Sequence, residues 1–461
     1  MKMCMKWLRI SICLCLAWGH AIAAEENQVG GIETKELGEI IVTADQENAA
    51  ARNVIPQEEI QAPQISGSIL DTMENQAGVQ LIRRSQTGAD GGELRIRGFD
   101  ETRLIIMKDG VTLNRDGSYG NGPVDWSSIS PESIEGIEIY RGACPAKYGN
   151  TLGGVVNIMG KSPTSNPETT LGVSYGSLDT LNTSISHSWK KGPVGWVFSG
   201  GHFESDGYLR NNTLDRDNFS GMVSVELPDA WEIGVGMDYS TKENGNPVYN
   251  RPDSPYYDSS YPDADEKELG GPGIGGRLIN GSLAWGDGSI TEDENTNLTT
   301  FIEKKITTGK FRLDARLWNQ DRTETFVDAE DSSKKIYERK TQAEDNNWSL
   351  KGEMIYELSD HKIECGGETR RYGWGEQKVT YIDESYFNGS INFMKFIKEG
   401  FKGQDDVMHY HALYVQDTWS INQAFSVELG VRQEWFRAES IDPDAFGFVW
   451  PADVTDISES Q

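Results

Sequence analysis

The sequence predicts a mainly β protein, a transmembrane antiparallel β-barrel preceded by a compact α+β unit. After Pro167, segments of eight to thirteen residues with alternating polarity follow one another, as half-exposed strands do. The chain has 50 glycines and 10% aromatic residues, and no interior stretch is apolar enough for a spanning helix. An export signal at the start of the chain adds a third reason, because it directs the remainder into the cell envelope.

The first 24 residues have the three parts of a signal peptide. Lys2, Lys6 and Arg9 precede an apolar run, and the small residues near Ala23 suit a cleavage site. Removing these three basic residues changes the formal net charge from −29 to −32. Such an acidic chain offers no basic face for phosphates, so we expect no nucleic-acid partner.

Residues 25–48 form a polar tether that contains one β-branched run. The run consists of Glu39, Ile40, Ile41, Val42, Thr43 and Ala44. From its residues alone it could be the first strand of a small domain. It could also be an extended peptide that adds a strand to the sheet of a partner.

Residues 49–163 alternate short strands with turn residues, which predicts the compact α+β unit. Lys108, Asp109 and Gly110 separate two β-branched segments and are typical of a hairpin turn. Ser130 and Pro131 are typical of a helix start, with proline at the first helical position.

Residues 164–440 supply the barrel strands. In the clearest of them, apolar residues alternate with polar residues and glycines from Trp231 to Ser240, which gives the strand one apolar and one polar face. We count about twelve such strands. Lipid outside and a wet lumen inside would require this pattern. Residues 441–461 are predicted to be a polar C-terminal tail.

Five sequence blocks in the α+β unit resemble the plug domain of TonB-dependent outer-membrane receptors. The blocks are Arg95 to Phe99, Lys108 to Asn114, Asp125 to Glu135, Tyr140 to Ala143 and Tyr148 to Ile158. Tyr414 to Asp417 and Leu429 to Arg432 resemble a hairpin of the same family's barrel. The resemblance implies an outer-membrane receptor in contact with lipid. It also implies that Glu39 to Ala44 bind a TonB-type inner-membrane protein that supplies energy.

The resemblance implies active import of a small metal chelate, usually a ferric siderophore. Cobalamin or haem are alternatives within the family, and a non-transporting surface protein that serves phage, bacteriocins or adhesion is an alternative outside it. We expect no catalytic residues and no cofactor, because no base and nucleophile pair is visible.

The resemblance also implies ion pairs between plug and barrel. Arg97 and Arg141 of the plug would pair with Glu428 and Glu434, which share the polar face of one barrel strand. The alternative is that all four side chains face water in a wide lumen.

Ligand contact is predicted at an exposed glycine-rich segment of the plug and at two residues before it. An ordinary connecting loop is the alternative for the segment. The candidates are Arg95, Phe99, Asp116, Ser118, Tyr119 and Asn121.

No metal site is predicted. The acidic loop 253–268 lacks the ligand spacing of a known calcium loop, so a solvated charge run is the preferred interpretation. His409 and His411 are too few to close a site. Cys144 and Cys365 could form a single bridge or remain free.

The size of the plug leads to an expectation about the barrel. A plug of 49–163 would be about 35 Å across, whereas twelve strands close a cylinder of only ~24 Å and twenty-two strands one of ~44 Å. We therefore expect about 12 of 22 strands, as in a truncated or split product. Their sheet would be open and curved, with an unpaired edge near Trp435.

Overall fold

The computed structural model describes most of the chain after residue 51. The described residues are 52–60, 68–82, 93–117, 120–122, 124, 126–141, 144–149, 151–248, 250–254, 257–264, 286–328, 331–342, 347–373, 376–382, 407–422, 425–439 and 456–460.

The plug is an α+β unit built on a five-stranded sheet of order β1-β8-β9-β4-β5. Two hairpins, β2 with β3 and β6 with β7, lie outside this sheet. None of the helices in the described residues is long and apolar enough to cross a membrane. The described elements are β1 (Arg52–Pro56), α1 (Gln57–Ile60), α2 (Leu70–Glu74), β2 (Val79–Ile82), β3 (Glu93–Ile96), β4 (Leu104–Lys108), β5 (Val111–Thr112), β6 (Arg115–Gly117), β7 (Gly120–Gly122), β8 (Ile134–Tyr140) and β9 (Gly154–Gly160), with short 3-10 helices at Glu101–Arg103, Trp126–Ser128, Pro131–Ser133 and Ala146–Tyr148.

The plug has its own hydrophobic core. Ile55, Ile106, Trp126, Ile137 and Ile158 are completely or almost completely buried in one cluster. These residues come from four strands of the sheet and from one 3-10 helix. This cluster contains plug residues only, so the main hydrophobic core of the plug lies within the plug.

The predicted hairpin turn is confirmed. β4 and β5 pair antiparallel, with Lys108 opposite Val111. The two residues between them, Asp109 and Gly110, have φ of 52° and 75°. Positive φ at both central positions is what a two-residue type I′ turn requires.

The second part of the chain is one antiparallel sheet, and the expected barrel architecture is confirmed. Both β18 and β17 pair with β16, the first along residues 309–318 and the second along residues 321–327. In the same way β19 pairs with β18, and β20 pairs with β17. β17 and β18 therefore share one position in the sheet, and β19 and β20 share the next one. The described sheet is therefore twelve positions wide. Eleven of these positions lie before residue 440, where about twelve strands were counted from the sequence, and the twelfth is β23, which the sequence did not predict. Its strands are β10 (Glu168–Tyr175), β11 (Leu181–Lys191), β12 (Val194–Ser205), β13 (Leu214–Leu227), β14 (Trp231–Gly245), β15 (Ile290–Ile306), β16 (Gly309–Val327), β17 (Lys335–Gln342), β18 (Asn347–Leu358), β19 (His361–Gly373), β20 (Glu376–Ile382), β21 (Val407–Asn422), β22 (Phe425–Glu439) and β23 (Asp456–Ser460), with a 3-10 turn at Pro228–Ala230.

Side chains of this sheet alternate between two faces, as predicted. In β14, Ile233, Val235 and Met237 are exposed on the outward face, whereas Gly234 and Gly236 are buried on the face toward the plug. The same alternation exposes the outward apolar residues of β22. The outward face is therefore an apolar band, and the inward face carries the polar residues.

The strand edge near Trp435, which was predicted to be unpaired, is paired. Trp435 is paired with Ser460, because Asp456–Ser460 forms β23 beside the end of β22. The expectation of a strand-free tail is wrong at these positions, since a ladder uses backbone groups that a polar segment also possesses. Among the described strands, β10 pairs only with β11 and β23 only with β22, so the sheet they form is open.

Candidate functional site

The plug contacts the inward face of the sheet through polar groups, first at the turn between β4 and β5. Lys108 Nζ lies 2.6 Å from Asp238 Oδ1 in the middle of β14. Asp238 also accepts hydrogen bonds from Ser220 Oγ at 2.6 Å and Asn297 Nδ2 at 3.1 Å. Three neighbouring strands thus hold one carboxylate in place for a plug ammonium.

Backbone carbonyls of the same hairpin accept two further bonds from barrel cations. Lys351 Nζ donates to the carbonyl oxygen of Gly110 at 2.8 Å, and Arg316 Nη1 donates to that of Thr112 at 2.6 Å. The hairpin tip, defined as Lys108–Thr112, is therefore fixed by three charged side chains. Charge-assisted bonds of this kind are directional and stronger than neutral ones.

A second contact zone is the 3-10 helix Ala146–Tyr148. The amide nitrogen of Ala146 donates to Gln416 Oε1 at 2.7 Å. Arg432 Nη1 donates to the carbonyl oxygens of Ala146 and Lys147, each at 3.3 Å. Adjacent strands β21 and β22 thus bind the free backbone groups of one plug turn.

In the second contact zone, plug and sheet also match in charge and in shape. Lys147 Nζ lies 3.3 Å from Glu364 Oε1, whose side chain is completely buried. Gln416 Nε2 donates to the other oxygen of Glu364 at 3.3 Å. Gly430 lies so close to the plug that a Cβ atom there would be 2.7 Å from the Cβ of Ala146. Glycine at this position therefore permits the close approach of plug and wall.

The third zone joins the plug to the first strands of the sheet. The amide of Thr164 donates to Ser188 Oγ at 2.9 Å, and the amide of Lys190 donates to the carbonyl oxygen of Thr164 at 2.7 Å. Pro163 packs so close to Gly195 that a Cβ there would be 2.8 Å away. The segment that follows the plug is therefore hydrogen-bonded to the first strands of the sheet.

The predicted pairing of plug arginines with barrel glutamates is not found. Arg141 donates to the carbonyl oxygen of Ala77 within the plug. Arg97 is exposed, and within the described part of the chain neither arginine forms an ion pair with Glu428 or Glu434. The prediction was right only in placing both glutamates on the inward face, opposite the exposed Val427, Leu429 and Val431.

Glu434 has partners from the barrel itself, which is the physical reason for this correction. Arg432 Nε donates to Glu434 Oε1 at 2.5 Å, and Tyr410 Oη donates to the same oxygen at 2.6 Å. Arg432 stands two positions away on the same strand face, so it reaches the carboxylate without any plug residue. A Cβ at Gly149 of the plug would lie 3.0 Å from this oxygen, so the plug approaches Glu434 through backbone.

The predicted ligand segment forms a hairpin. Asp116 in β6 stands opposite Asn121 in β7. Ser118 and Tyr119, between the two strands, lie outside the described residues. The ligand role of these four residues remains a prediction.

The two candidates before the hairpin are both described. Phe99 is partly buried and packs against the plug core, and its ligand role stays a prediction. Arg95 lies in β3 opposite Gln80 and is half-buried.

Sequence reasoning missed a buried glutamate that organises the base of this hairpin. Glu101 is only 2% exposed and accepts three hydrogen bonds. Leu94 N and Trp126 Nε1 donate to one oxygen at 2.8 and 2.7 Å, and Val124 N donates to the other at 3.1 Å. A charged residue between two apolar segments was the only available signal.

The remaining candidates are placed as follows. In the acidic loop, the carboxylates of Asp253 and Asp258 accept bonds from Arg251 and from Ser260, respectively. Within the described residues, His202, Asp215 and Asp217 lie close enough to share a cation on the outward face, but the group consists of exposed and half-exposed side chains. The predicted coupling segment, Glu39 to Ala44, and loop residues 265–268 lie outside the described residues.

The two cysteines that could have formed a bridge are free. Cys144 packs against a small plug cluster that includes Tyr140 and Tyr148. Cys365 stands in β19 between the outward residues Met354 and Val415. Because the two thiols belong to different faces of the structure, we expect no disulfide between them.

Comparison with protein families supports the interpretation of the plug. Residues 44–155 match the TonB-dependent Receptor Plug Domain. This range includes β1 to β8 and the hairpin tip that contacts the sheet.

Individual proteins are similar over longer ranges. The ferrienterobactin receptor of Escherichia coli K12 is 34% identical over 211 residues, which are 43% of this chain and 26% of that protein. The vitamin B12 transporter BtuB of Vibrio vulnificus is 28% identical over 238 residues, 44% of this chain and 38% of that protein. The chain therefore spans well under two thirds of these curated relatives.

Solved structures share the fold. The Pseudomonas aeruginosa receptor FpvA bound to heterologous pyoverdines aligns with a TM-score of 0.62 at 15% identity. The alignment covers 90% of this chain and 54% of that one. This likeness shows that the fold, a plug packed against an antiparallel sheet, is shared.

Proposed function

From a TonB-dependent receptor plug domain held against a barrel sheet, we propose that this chain belongs to a receptor for active import across the outer membrane. Its cargo is a small metal chelate, and a ferric siderophore is the preferred class. The observation that carries the proposal is the interface between plug and sheet, whose described contacts include many ion pairs and hydrogen bonds. One of them is the Lys108–Asp238 pair at 2.6 Å.

A polar interface suits a plug that must rearrange. Such contacts can be exchanged for water one at a time, whereas separating two apolar surfaces costs free energy in proportion to their area. The apolar core of the plug lies entirely within the plug. The plug can therefore change its position without exposing that core.

The outward face of the sheet supports the proposed location. It exposes a band of apolar side chains that includes Val235, Leu317, Leu413, Leu429 and Val431, each at least 57% exposed. Exposed bands of this kind fit lipid rather than water. Outer-membrane lipid is the proposed surrounding.

The energy source is proposed to act through Glu39 to Ala44. This β-branched run follows a polar tether and precedes the plug, so it can pair with the sheet edge of a TonB-type inner-membrane protein. Pulling on it would transmit force directly into β1, which pairs with β8 in the plug sheet.

The ligand is proposed to contact the hairpin around Asp116 and Asn121. A ferric siderophore is favoured because the ferrienterobactin receptor of Escherichia coli K12 is similar to this chain. Cobalamin is the second candidate, because a vitamin B12 transporter is also similar to this chain.

A deletion of residues 39–44 tests the proposal. In cells that express the chain, we expect loss of uptake of a radiolabelled ferric siderophore and retention of its binding at the cell surface. A deletion of the same length in the preceding tether, residues 26–31, is the control and should leave uptake intact. Uptake at the parental rate in the first strain would rule out energy coupling through this segment.

A further inference from the structure

Strand β1 lies at one edge of the plug sheet and is attached to it by few contacts. Among the described strands it pairs only with β8, over five positions. Two of its side chains add hydrogen bonds: Arg52 donates to Glu138 in β8, and Asn53 donates to Gln76, which follows α2. An edge strand held in this way separates from its sheet more easily than an inner strand, because fewer bonds must break.

The bond of Arg52 leads into the centre of the sheet. The side chain of Glu138 is only 10% exposed, and its second oxygen accepts a bond at 3.1 Å from Nδ2 of Asn157 in β9. Glu138 and Asn157 are direct neighbours across β8 and β9. Because Nδ2 donates to the carboxylate, the Oδ1 atom of the same amide is left to accept a bond on its other side.

The donor to this oxygen belongs to the hairpin tip. The amide nitrogen of Gly110 donates to Asn157 Oδ1 at 3.0 Å. The carbonyl oxygen of Gly110 accepts the bond at 2.8 Å from Lys351 Nζ of the barrel sheet. Gly110 is therefore the residue at which a series of plug hydrogen bonds meets the wall. We call the series Arg52, Glu138, Asn157 and Gly110 the polar relay.

Other bonds also hold the hairpin tip to β9. The amide of Asp109 donates to the carbonyl oxygen of Ile158 at 2.8 Å, and the amide of Gly160 donates to Asp109 Oδ1 at 2.8 Å. Neither bond involves a side chain of β1 or β8. Among the described hydrogen bonds of the tip, the bond between Gly110 and Asn157 is therefore the one that side chains connect to β1.

We propose that Arg52 is a positioning residue that couples β1 to the docking of the hairpin tip on the barrel sheet. While β1 is paired, Arg52 holds Glu138, and Glu138 orients the amide of Asn157. When β1 leaves β8, Glu138 loses its cation in a shielded position, and the amide of Asn157 is free to turn. Its Nδ2 then faces the N–H of Gly110, so two donors oppose each other and the bond to Lys351 weakens.

This inference rests on the proposed function, in which force enters the plug through residues 39–44. That segment ends eight positions before Arg52. A pull along the chain therefore acts on β1 before it acts on the other strands of the plug. The relay adds the place at which such a pull first loosens the plug from the wall, namely the bond between Gly110 and Lys351.

The test measures acetylation of the Lys351 amine in the full chain in liposomes, by mass spectrometry after brief treatment with an acetylating ester. Arg52→Met removes the charge and the donors but keeps an unbranched side chain. We expect Lys351 to react about fivefold faster or more, as the loss of one hydrogen bond from a charged donor implies. Lys161 of the plug, whose Nζ lies 3.4 Å from Ser186 Oγ in β11, should react at the parental rate, because this contact lies outside the relay.

Three further variants separate a relay from a general loss of stability. Arg52→Lys keeps the cation and should restore slow acetylation of Lys351. Asn157→Ala interrupts the relay at its centre and should accelerate Lys351 as Arg52→Met does, and the double variant should be no faster than either, since both changes break the same series. Asn53→Ala is the matched control: it removes the other side-chain bond of β1 and should leave Lys351 at the parental rate.

Three results would overturn the relay. The first is acetylation of Lys351 at the parental rate in the Arg52→Met variant. The second is equal acceleration of Lys351 and Lys161, which would mean that the whole plug is loosened. The third is a double variant in which the effects of Arg52→Met and Asn157→Ala multiply, because independent contacts would then be responsible.

Uptake by cells keeps this inference separate from the proposed function. If deletion of residues 39–44 abolishes uptake while Arg52→Met leaves the acetylation of Lys351 unchanged, the relay is wrong and the importer stands. If Lys351 responds as expected but the parental chain imports nothing, the importer is wrong and the relay stands.

Discussion

Lys108 and Asp238 are 130 positions apart in the sequence, yet their charged atoms are 2.6 Å apart. One stands at the tip of a plug hairpin and the other in the middle of a barrel strand. Their side chains are 17% and 23% exposed, so the pair is largely shielded from solvent. It is the contact on which the predictions about plug docking depend.

Replacing Lys108 by methionine should loosen the hairpin tip. The substitution leaves Asp238 without its cation in a shielded position, at a cost of about 1–2 kcal/mol. Hydrogen exchange of the amides between Leu104 and Thr112 should then be roughly tenfold faster. Lys190→Met, which breaks an exposed pair with Glu226, should not change exchange in the hairpin.

A double variant separates the pair from its members. Lys108→Met combined with Asp238→Leu removes both charges, so no uncompensated ion remains. We expect exchange in the hairpin to be slower than in the single variant. Equal exchange in both variants would contradict an interaction between the two residues.

Arg432, and not Arg97, should control docking of the second contact zone. Arg432→Ala removes the donor to the carbonyl oxygens of Ala146 and Lys147, and we expect a cost of about 2 kcal/mol. Arg97 is exposed, so Arg97→Ala should change stability by no more than ~0.5 kcal/mol. Limited proteolysis of the plug in both variants distinguishes these outcomes. Faster cleavage in the Arg97 variant would instead support the pairing of Arg97 with a barrel glutamate that was expected from the sequence.

Glu101→Ala should destabilise the plug strongly. The substitution removes the acceptor of three buried donors, and each unsatisfied donor costs about 1–3 kcal/mol. Urea unfolding followed by tryptophan fluorescence should reveal a loss of at least ~3 kcal/mol. Glu59→Ala, at an exposed position of α1, is the matched control. Equal midpoints for the two variants would mean that Glu101 does not hold the plug together.

Cys144 should react slowly with alkylating reagents. Burial, together with the nearby charge of Glu428, raises the pKa of its thiol from 9.0 to about 11. Below that pH the thiol stays protonated, so the rate should rise about tenfold per pH unit from pH 7 to pH 10. Mass spectrometry of the Cys144 peptide after iodoacetamide treatment, in a Cys365→Ser background, measures this rate. A rate that levels off near pH 9 would contradict the raised pKa.

The sequence by itself determined the local features of this protein. Period-two alternation placed Val235 and Met237 on one face of β14 and Asp238 on the other, because successive side chains of a strand point to opposite faces. The Asp109–Gly110 pair determined a hairpin turn for the same local reason. The plug motifs identified the domain, and the repeated pattern predicted the antiparallel sheet but not β23.

Only the tertiary structure decided which charges meet. Arg97, Arg141 and Glu434 have the residue types that an ion pair needs, but Glu434 is satisfied by Arg432 on its own strand and Arg141 by a plug carbonyl. Likewise Lys108 finds Asp238 because the turn brings it to the middle of β14. Such contacts depend on how the plug docks against the sheet, and a strand pattern carries no information about the distance between plug and sheet side chains.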